Sequence, residues 1–142
     1  MMKNISWLAL GAVAAYLIWW ILPGFFSGVK VAPGSPEFIA QESAKLNHGL
    51  PALLDKETEL TITEPAHGML IYKYRLINVV AAKFDYEKFR VGSKPQLVQL
   101  TCSRPETREE YLSKGVTLRF SYFDKDKQHV ATIDVTPADC GM

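Results

Sequence analysis

Three histidines, His48, His67 and His129, are the side chains in this 142-residue chain best suited to general-base work near neutral pH. A base needs a nucleophile held beside it, and no GxSxG elbow, HExxH pair or Cys-His signature accompanies any of the three. Their settings are ordinary surface ones: His48 on a polar helix face, His67 in a turn, His129 just past a hairpin turn. An envelope hydrolase would require His48, His67, Asp55 and Asp134 to converge from distant segments. Asp124, Asp126 and Gln128 imitate the start of a calcium loop, but the glycine at the sixth position is missing and Val135 stands where the twelfth-position acid belongs. A solvated hairpin turn is the expected role of this segment. Gly92-Ser93-Lys94 lacks the upstream glycine of a phosphate loop. No catalytic residue, cofactor or metal-ligand set is therefore expected.

Cys102 and Cys140 are the only cysteines. An even pair outside the apolar segment fits a disulfide in an oxidising compartment, and closing that loop is worth about 4 kcal/mol in the chain-entropy treatment. Two buried thiols would be the alternative in a cytosolic protein. Neither cysteine has a histidine or second cysteine at zinc-ligand spacing. Sixteen Lys and Arg against 15 Asp and Glu leave a formal charge of +1, too little to hold a phosphate backbone, so nucleic acid is not an expected partner.

The charge is unevenly spread. Ile5 to Leu22 reads ISWLALGAVAAYLIWWIL, long enough with Phe25 and Phe26 to cross a ~30 Å hydrocarbon core as a helix. Trp19, Trp20, Phe25 and Phe26 suit the headgroup level at one end, and Pro23-Gly24 marks the stop. A cleaved signal peptide would have a shorter apolar region and a small-x-small site, so residues 5–26 read as an uncleaved membrane anchor. Lys3 before the span and Lys30 after the aromatic belt orient the N-terminus toward the cytoplasm. The expected organisation is a cytoplasmic tip and transmembrane anchor over 1–26, a linker over 27–34, and a periplasmic domain over 35–142. The protein would be a single-pass inner-membrane protein. Gly11 and Ala15 could let two anchors approach, although ordinary lipid-facing residues account for them better.

The soluble part reads as α+β. Ser35 and Pro36 start a helix, with Ile39, Ser43, Leu46 and Leu50 along its buried side. Residues 57–64 alternate as a strand, with Thr58, Leu60 and Ile62 on one face. Met69–Val79 places Leu70, Tyr72, Tyr74 and Leu76 opposite Lys73 and Arg75, and the two runs pair as a hairpin. Asp85 caps a helical region, with Phe84 placed to contact Phe89. Two capping-box spacings, Ser93 with Gln96 and Ser103 with Glu106, divide that region into helices near 85–91, 94–102 and 104–114. Val116–Phe123 and Ala131–Val135 form a second hairpin. The expected fold is a four-stranded antiparallel sheet made of two hairpins, with helices packed on one face.

With the apolar side of each hairpin turned to the core, Ile71, Lys73, Arg75 and Ile77 share the other face, as do Arg119, Ser121 and Phe123. Mixed aliphatic, aromatic and arginine surfaces are what protein interfaces favour. Ile71, Lys73, Arg75, Ile77, Arg119 and Phe123 are the candidate interface, unless the domain's own helices or the linker cover that side.

The strings LPALLDKETELT, from Leu50, and GVTLRFSYFDKDKQHVATIDVTPADCG, from Gly115, resemble a group of small gammaproteobacterial membrane or periplasmic proteins of unknown function. The shared features are Leu50, Pro51, Asp55 and Thr58, then Cys102, Gly115, and Val135-Thr136-Pro137 with Cys140. The resemblance covers most of the soluble domain, implies its fold and the cysteine pair, and carries no catalytic residue. One anchor plus a small domain is also the layout of exclusion and immunity proteins of mobile elements. The function these observations suggest is a non-enzymatic module that binds another envelope protein, or an incoming one. An envelope enzyme or a structural subunit of an envelope complex are the alternatives.

Overall fold

The computed structural model describes residues 30–142. The anchor expected over residues 1–26 lies outside the described residues, and among the described residues no helix is long and apolar enough to cross a membrane.

Helix α1 runs Pro36–Asn47, opened by the Ser35 hydroxyl, which accepts the Phe38 N–H at 3.2 Å, and by Pro36 at the first helical position. Its buried line differs from the expected one. Ile39 and Ser43 are buried, but Leu46 is 40% exposed. The row instead continues at spacing four to Asn47, whose amide grips strand β2 (Thr58–Ala66). Asn47 Nδ2 donates to the Thr63 carbonyl at 2.9 Å and Oδ1 accepts the Thr63 N–H at 2.8 Å. Ser43 Oγ lies 2.8 Å from Thr63 Oγ1, which satisfies the hydroxyl buried beneath the helix.

The expected four-stranded antiparallel sheet is incorrect: the sheet is five-stranded and mixed, in the order β1-β2-β3-β4-β5. Strand β1 is only Ala52–Leu53, too short for any periodicity to announce it. Strands β2 and β3 (Met69–Leu76) form the first hairpin, and β4 (Thr117–Phe123) and β5 (His129–Val135) the second. The hairpins meet along a parallel β3–β4 pair. Parallel neighbours need a long crossover, usually helical, and residues 77–116 supply it.

That crossover is helix α2 (Tyr86–Ser103) followed by α3 (Pro105–Glu110) and a 3₁₀ turn at Leu112–Lys114. Asp85 caps α2, accepting the Lys88 N–H at 3.0 Å, and the Phe84 and Phe89 rings meet at 5.1 Å across the entry, as expected. The expected break between 91 and 94 does not occur. Pro95 sits inside α2, where it removes one helical hydrogen bond and crowds the Val91 carbonyl, but Phe89 before it and Leu97, Val98 and Thr101 after it pack on one continuous side and hold the helix together. Nor does Ser103 begin α3. Its hydroxyl donates back to the Leu100 carbonyl at 3.2 Å as the last residue of α2, and Arg104 takes the N-cap position.

Among the described residues the helices lie on one face of the sheet. That side carries Leu70, Leu76, Leu118, Phe120, Tyr122, Ala131, Ile133 and Val135, closed over by Ile39, Tyr111 and Leu112. Cys102, at the end of α2, is bonded to Cys140 in the 3₁₀ turn after β5, with Cα atoms 5.5 Å apart. The expected disulfide thus ties the crossover to the outermost strand. Thr136 and Asp139 form a reciprocal capping box on that last turn, and Lys94 of α2 reaches Asp139 at 3.5 Å.

Candidate functional site

The face of the sheet opposite the helices is where the sequence placed an interface. The parallel β3–β4 register sets Ile71 beside Arg119, Lys73 beside Ser121 and Arg75 beside Phe123. Ile71, Lys73, Arg75, Arg119 and Phe123 therefore form one patch. Ile77 stands past the end of β3, where its N–H donates to the Glu57 carbonyl at 3.0 Å.

The sequence reading missed the carboxylates of this face. Each cation on it is held by an acid from a neighbouring strand: Lys73 by Glu64 at 2.7 Å, Arg75 by Glu59 at 3.2 Å, and Arg119 by both oxygens of Asp134 at 2.8 and 2.9 Å. The paired hydrogen bonds that the Arg119 guanidinium donates to Asp134 hold it above its ordinary pKa. Long side chains fixed in this way present a defined surface, because part of their rotamer entropy is already spent before a partner arrives.

A bulge puts Glu64 there. Leu60 pairs with Tyr74 but Ile62 with Lys73, so Thr61 is the extra residue, and its hydroxyl donates to the Lys73 carbonyl at 2.9 Å. Strict alternation would have buried Ile62 with Leu60 and set Glu64 on the core side. The bulge reverses the parity: Ile62 lies on the open face, 42% exposed, and Thr63 takes the core position. A one-residue slip of this kind moves every following side chain to the other face.

Between the bulge and the β4–β5 turn the face sinks into a groove of about 660 Å³, walled by Pro51, Glu59, Lys73, Arg75, Phe123 and Lys127. This volume lies within the ordinary range for ligand sites. The turn that brings Lys127 to the rim is built by Asp124, which is only 1% exposed and so is not the solvated residue expected from the sequence. Its carboxylate accepts the N–H groups of Ala81 at 2.9 Å, Asp126 at 2.8 Å and Gln128 at 2.9 Å. The donors, Ala81 first, hold the Asp124 pKa below the usual carboxylate value. A carboxylate committed to three backbone donors is a structural acceptor, which accounts for the partial calcium-loop pattern.

The four residues a hydrolase would need are not brought together. Asp55 accepts the N–H groups of Glu57 and Thr58 at the start of β2, whereas His67 follows its far end, about 25 Å away at strand rise. Asp134 is engaged by Arg119, and His48 caps the C-terminus of α1. Neither the open-face groove nor a second one of about 380 Å³ near Leu76 and Phe89 is lined by any of the four. His129 faces Thr132, with Nε2 2.7 Å from the hydroxyl. Among the described residues no cluster of His, Cys, Asp and Glu could hold a metal ion.

On the helix side the aromatic residues form a stack. Tyr72 and Phe120 lie 5.3 Å apart, Tyr74 and Tyr122 5.1 Å apart, and Phe89 meets Tyr122 edge-on at 4.8 Å. Burial raises the phenol pKa of Tyr72, Tyr74 and Tyr111 and pushes that of Tyr122 up to about 12, so these groups are neutral at physiological pH.

No family model matches the sequence, and no curated protein matches it. Solved structures do. A Pseudomonas aeruginosa protein assigned as secreted superposes with a TM-score of 0.63 at 20% identity, covering 74% of this chain and 91% of its own. The type 2 secretion pilotin EpsS of Vibrio vulnificus gives 0.59 at 16% identity, covering 74% and 90%. The type II secretion pilotin AspS of Vibrio cholerae gives 0.56 at 17%, covering 74% and 91%. At these identities the likeness is one of fold: residues 30–142 adopt an architecture also found in pilotins of type II secretion systems.

Proposed function

We propose that the protein is a non-enzymatic binding module of the cell envelope that docks another envelope protein on the open face of its sheet. The observation that carries this reading is the one-sided arrangement of the fold. Among the described residues the helices pack on one side, and the other presents Ile71, Lys73, Arg75, Arg119 and Phe123 as a pre-ordered, grooved patch. The disulfide between Cys102 and Cys140 fits an oxidising compartment such as the periplasm. The likeness to type II secretion pilotins supports an envelope role, and a partner in a secretion or other envelope assembly follows from it as part of the proposal. The apolar run over residues 5–26 would hold the domain at the inner membrane, raising its effective concentration toward a membrane partner without any new contact.

Crosslinking in intact membranes tests the reading. Arg75→Glu combined with Phe123→Ala should remove a specific partner band while leaving the melting temperature of the soluble part within a few degrees. A purified domain that turns over an envelope substrate while capturing no partner would overturn it. The membrane placement has its own check: alkaline phosphatase fused to the C-terminus should be active and a fluorescent protein fused there dark, and the opposite pair of results would contradict it.

A further inference from the structure

The groove on the open face is lopsided in charge. Lys73, Arg75 and Lys127 bring three cations to its wall, and Glu59 brings one carboxylate. Glu59 is already engaged by Arg75, and Lys73 by Glu64 from outside the groove. Among the described residues no carboxylate stands within 4.0 Å of the Lys127 ammonium. Lys127 is also fixed at its root. Its backbone has φ +66°, a conformation that L side chains rarely adopt, and its N–H donates to the Asp124 carbonyl at 3.0 Å in the turn that the Asp124 carboxylate organises. The rest of the wall is Phe123, whose ring meets His129 edge-on at 5.6 Å, with Pro51, Tyr74 and Thr61, whose hydroxyl is spent on the Lys73 carbonyl.

We propose that this groove docks an acidic peptide segment of the partner, with a carboxylate on Lys127 and an adjacent apolar side chain against Phe123 and Pro51. The inference rests on the reading of the open face as a protein interface and adds the chemistry of what binds there. Charge complementarity selects the carboxylate, since the one cation without a protein partner stands at the rim of a wall already rich in cations. Volume and apolar lining select a peptide over a small anion. A space of about 660 Å³ takes more than one side chain, and an inorganic anion alone would leave Phe123 and Pro51 facing water.

The test selects a random seven-residue peptide library on the full chain held in phosphatidylcholine nanodiscs. Enriched sequences should be rich in Asp and Glu next to Phe, Leu or Ile. A Lys127→Glu chain should bind them about tenfold more weakly, the size of one charge-assisted contact. Lys127→Gly should weaken them similarly, and because glycine suits a positive φ better than lysine, a damaged turn would not explain that loss. Three results would each overturn the proposal: no enrichment, enriched peptides with no excess of Asp and Glu over the unselected library, or unchanged binding to Lys127→Glu. If crosslinks from Arg119 still captured an envelope partner in such a case, the interface would stand and only the groove's assignment would fall.

Discussion

Asp124 joins two segments of the chain, the turn between β4 and β5 and the 3₁₀ turn at Ala81–Lys83 that begins the crossover. Its pKa is lowered by those backbone donors, as are those of Asp55, first by Glu57, and Asp139, first by Thr136. A depressed folded pKa contributes stability above the ordinary carboxylate value, and that contribution is lost as pH falls through the folded value. Urea midpoints should therefore hold steady down to about pH 5 and then drop. Asp124→Asn should lower the plateau and shallow the acid-side fall; an unchanged acid slope would show that Asp124 is not responsible. Two glycines give a comparison free of charge. Gly34 and Gly68 both have positive φ, +78° and +66°, but a side chain at Gly34 would run into Lys114, whereas Gly68 faces open space. Gly68→Ala should cost about 1 kcal/mol for its backbone alone. Gly34→Ala should cost distinctly more in the same thermal melts, and equal losses would contradict the close packing of Gly34 on Lys114.

Among the elements, β2 depends most on a side chain from elsewhere. Its outer edge is covered at Leu60 and Glu59 by the short β1, at Thr63 by the Asn47 amide, and at Pro65 by the absence of an N–H. Asn47→Ala should cost about 1–3 kcal/mol in urea unfolding, since it leaves the Thr63 backbone groups without their partner. Full stability in that variant would show that the grip of α1 on β2 is dispensable. Cys102→Ser with Cys140→Ser should remove up to about 4 kcal/mol and lower the melting temperature, more than either cap of α2 would. The Ser35 and Asp85 caps, the Phe84–Phe89 contact, the hairpins and the cysteine pair were legible in the sequence, because each is set by residues close in the chain or by a count of two. The Thr61 bulge was not, because the T-E-L-T-I-T alternation is the same with or without an extra residue and only pairing to β3 reveals it. With it went the place of Ile62 and Glu64 on the open face. Strand β1 was hidden by its length, and the Ser93–Gln96 spacing suggested a break that the packing of Phe89, Leu97 and Val98 on one side overrode.

For the molecule as a whole, the sequence showed two hairpins and helices between them but not how the hairpins meet. Hairpins are antiparallel within themselves, and only the length and course of the 77–116 crossover decide that β3 and β4 run parallel. That link aligns Ile71, Lys73 and Arg75 with Arg119, Ser121 and Phe123, which makes one patch out of two separate hairpin faces. Alternation alone gives the side of each strand on which the candidate interface residues stand; their adjacency and their carboxylate partners came from topology. The account stands or falls on which face meets a partner. A photocrosslinking residue placed in turn at Ile71, Arg119 and Phe123 on the open face, and at Ala44 and Arg108 on the helices, measures this directly in intact membranes. The account predicts one specific adduct from the open-face positions, lost with Arg75→Glu, and none from the helices. An adduct that forms only from Ala44 or Arg108 would contradict it.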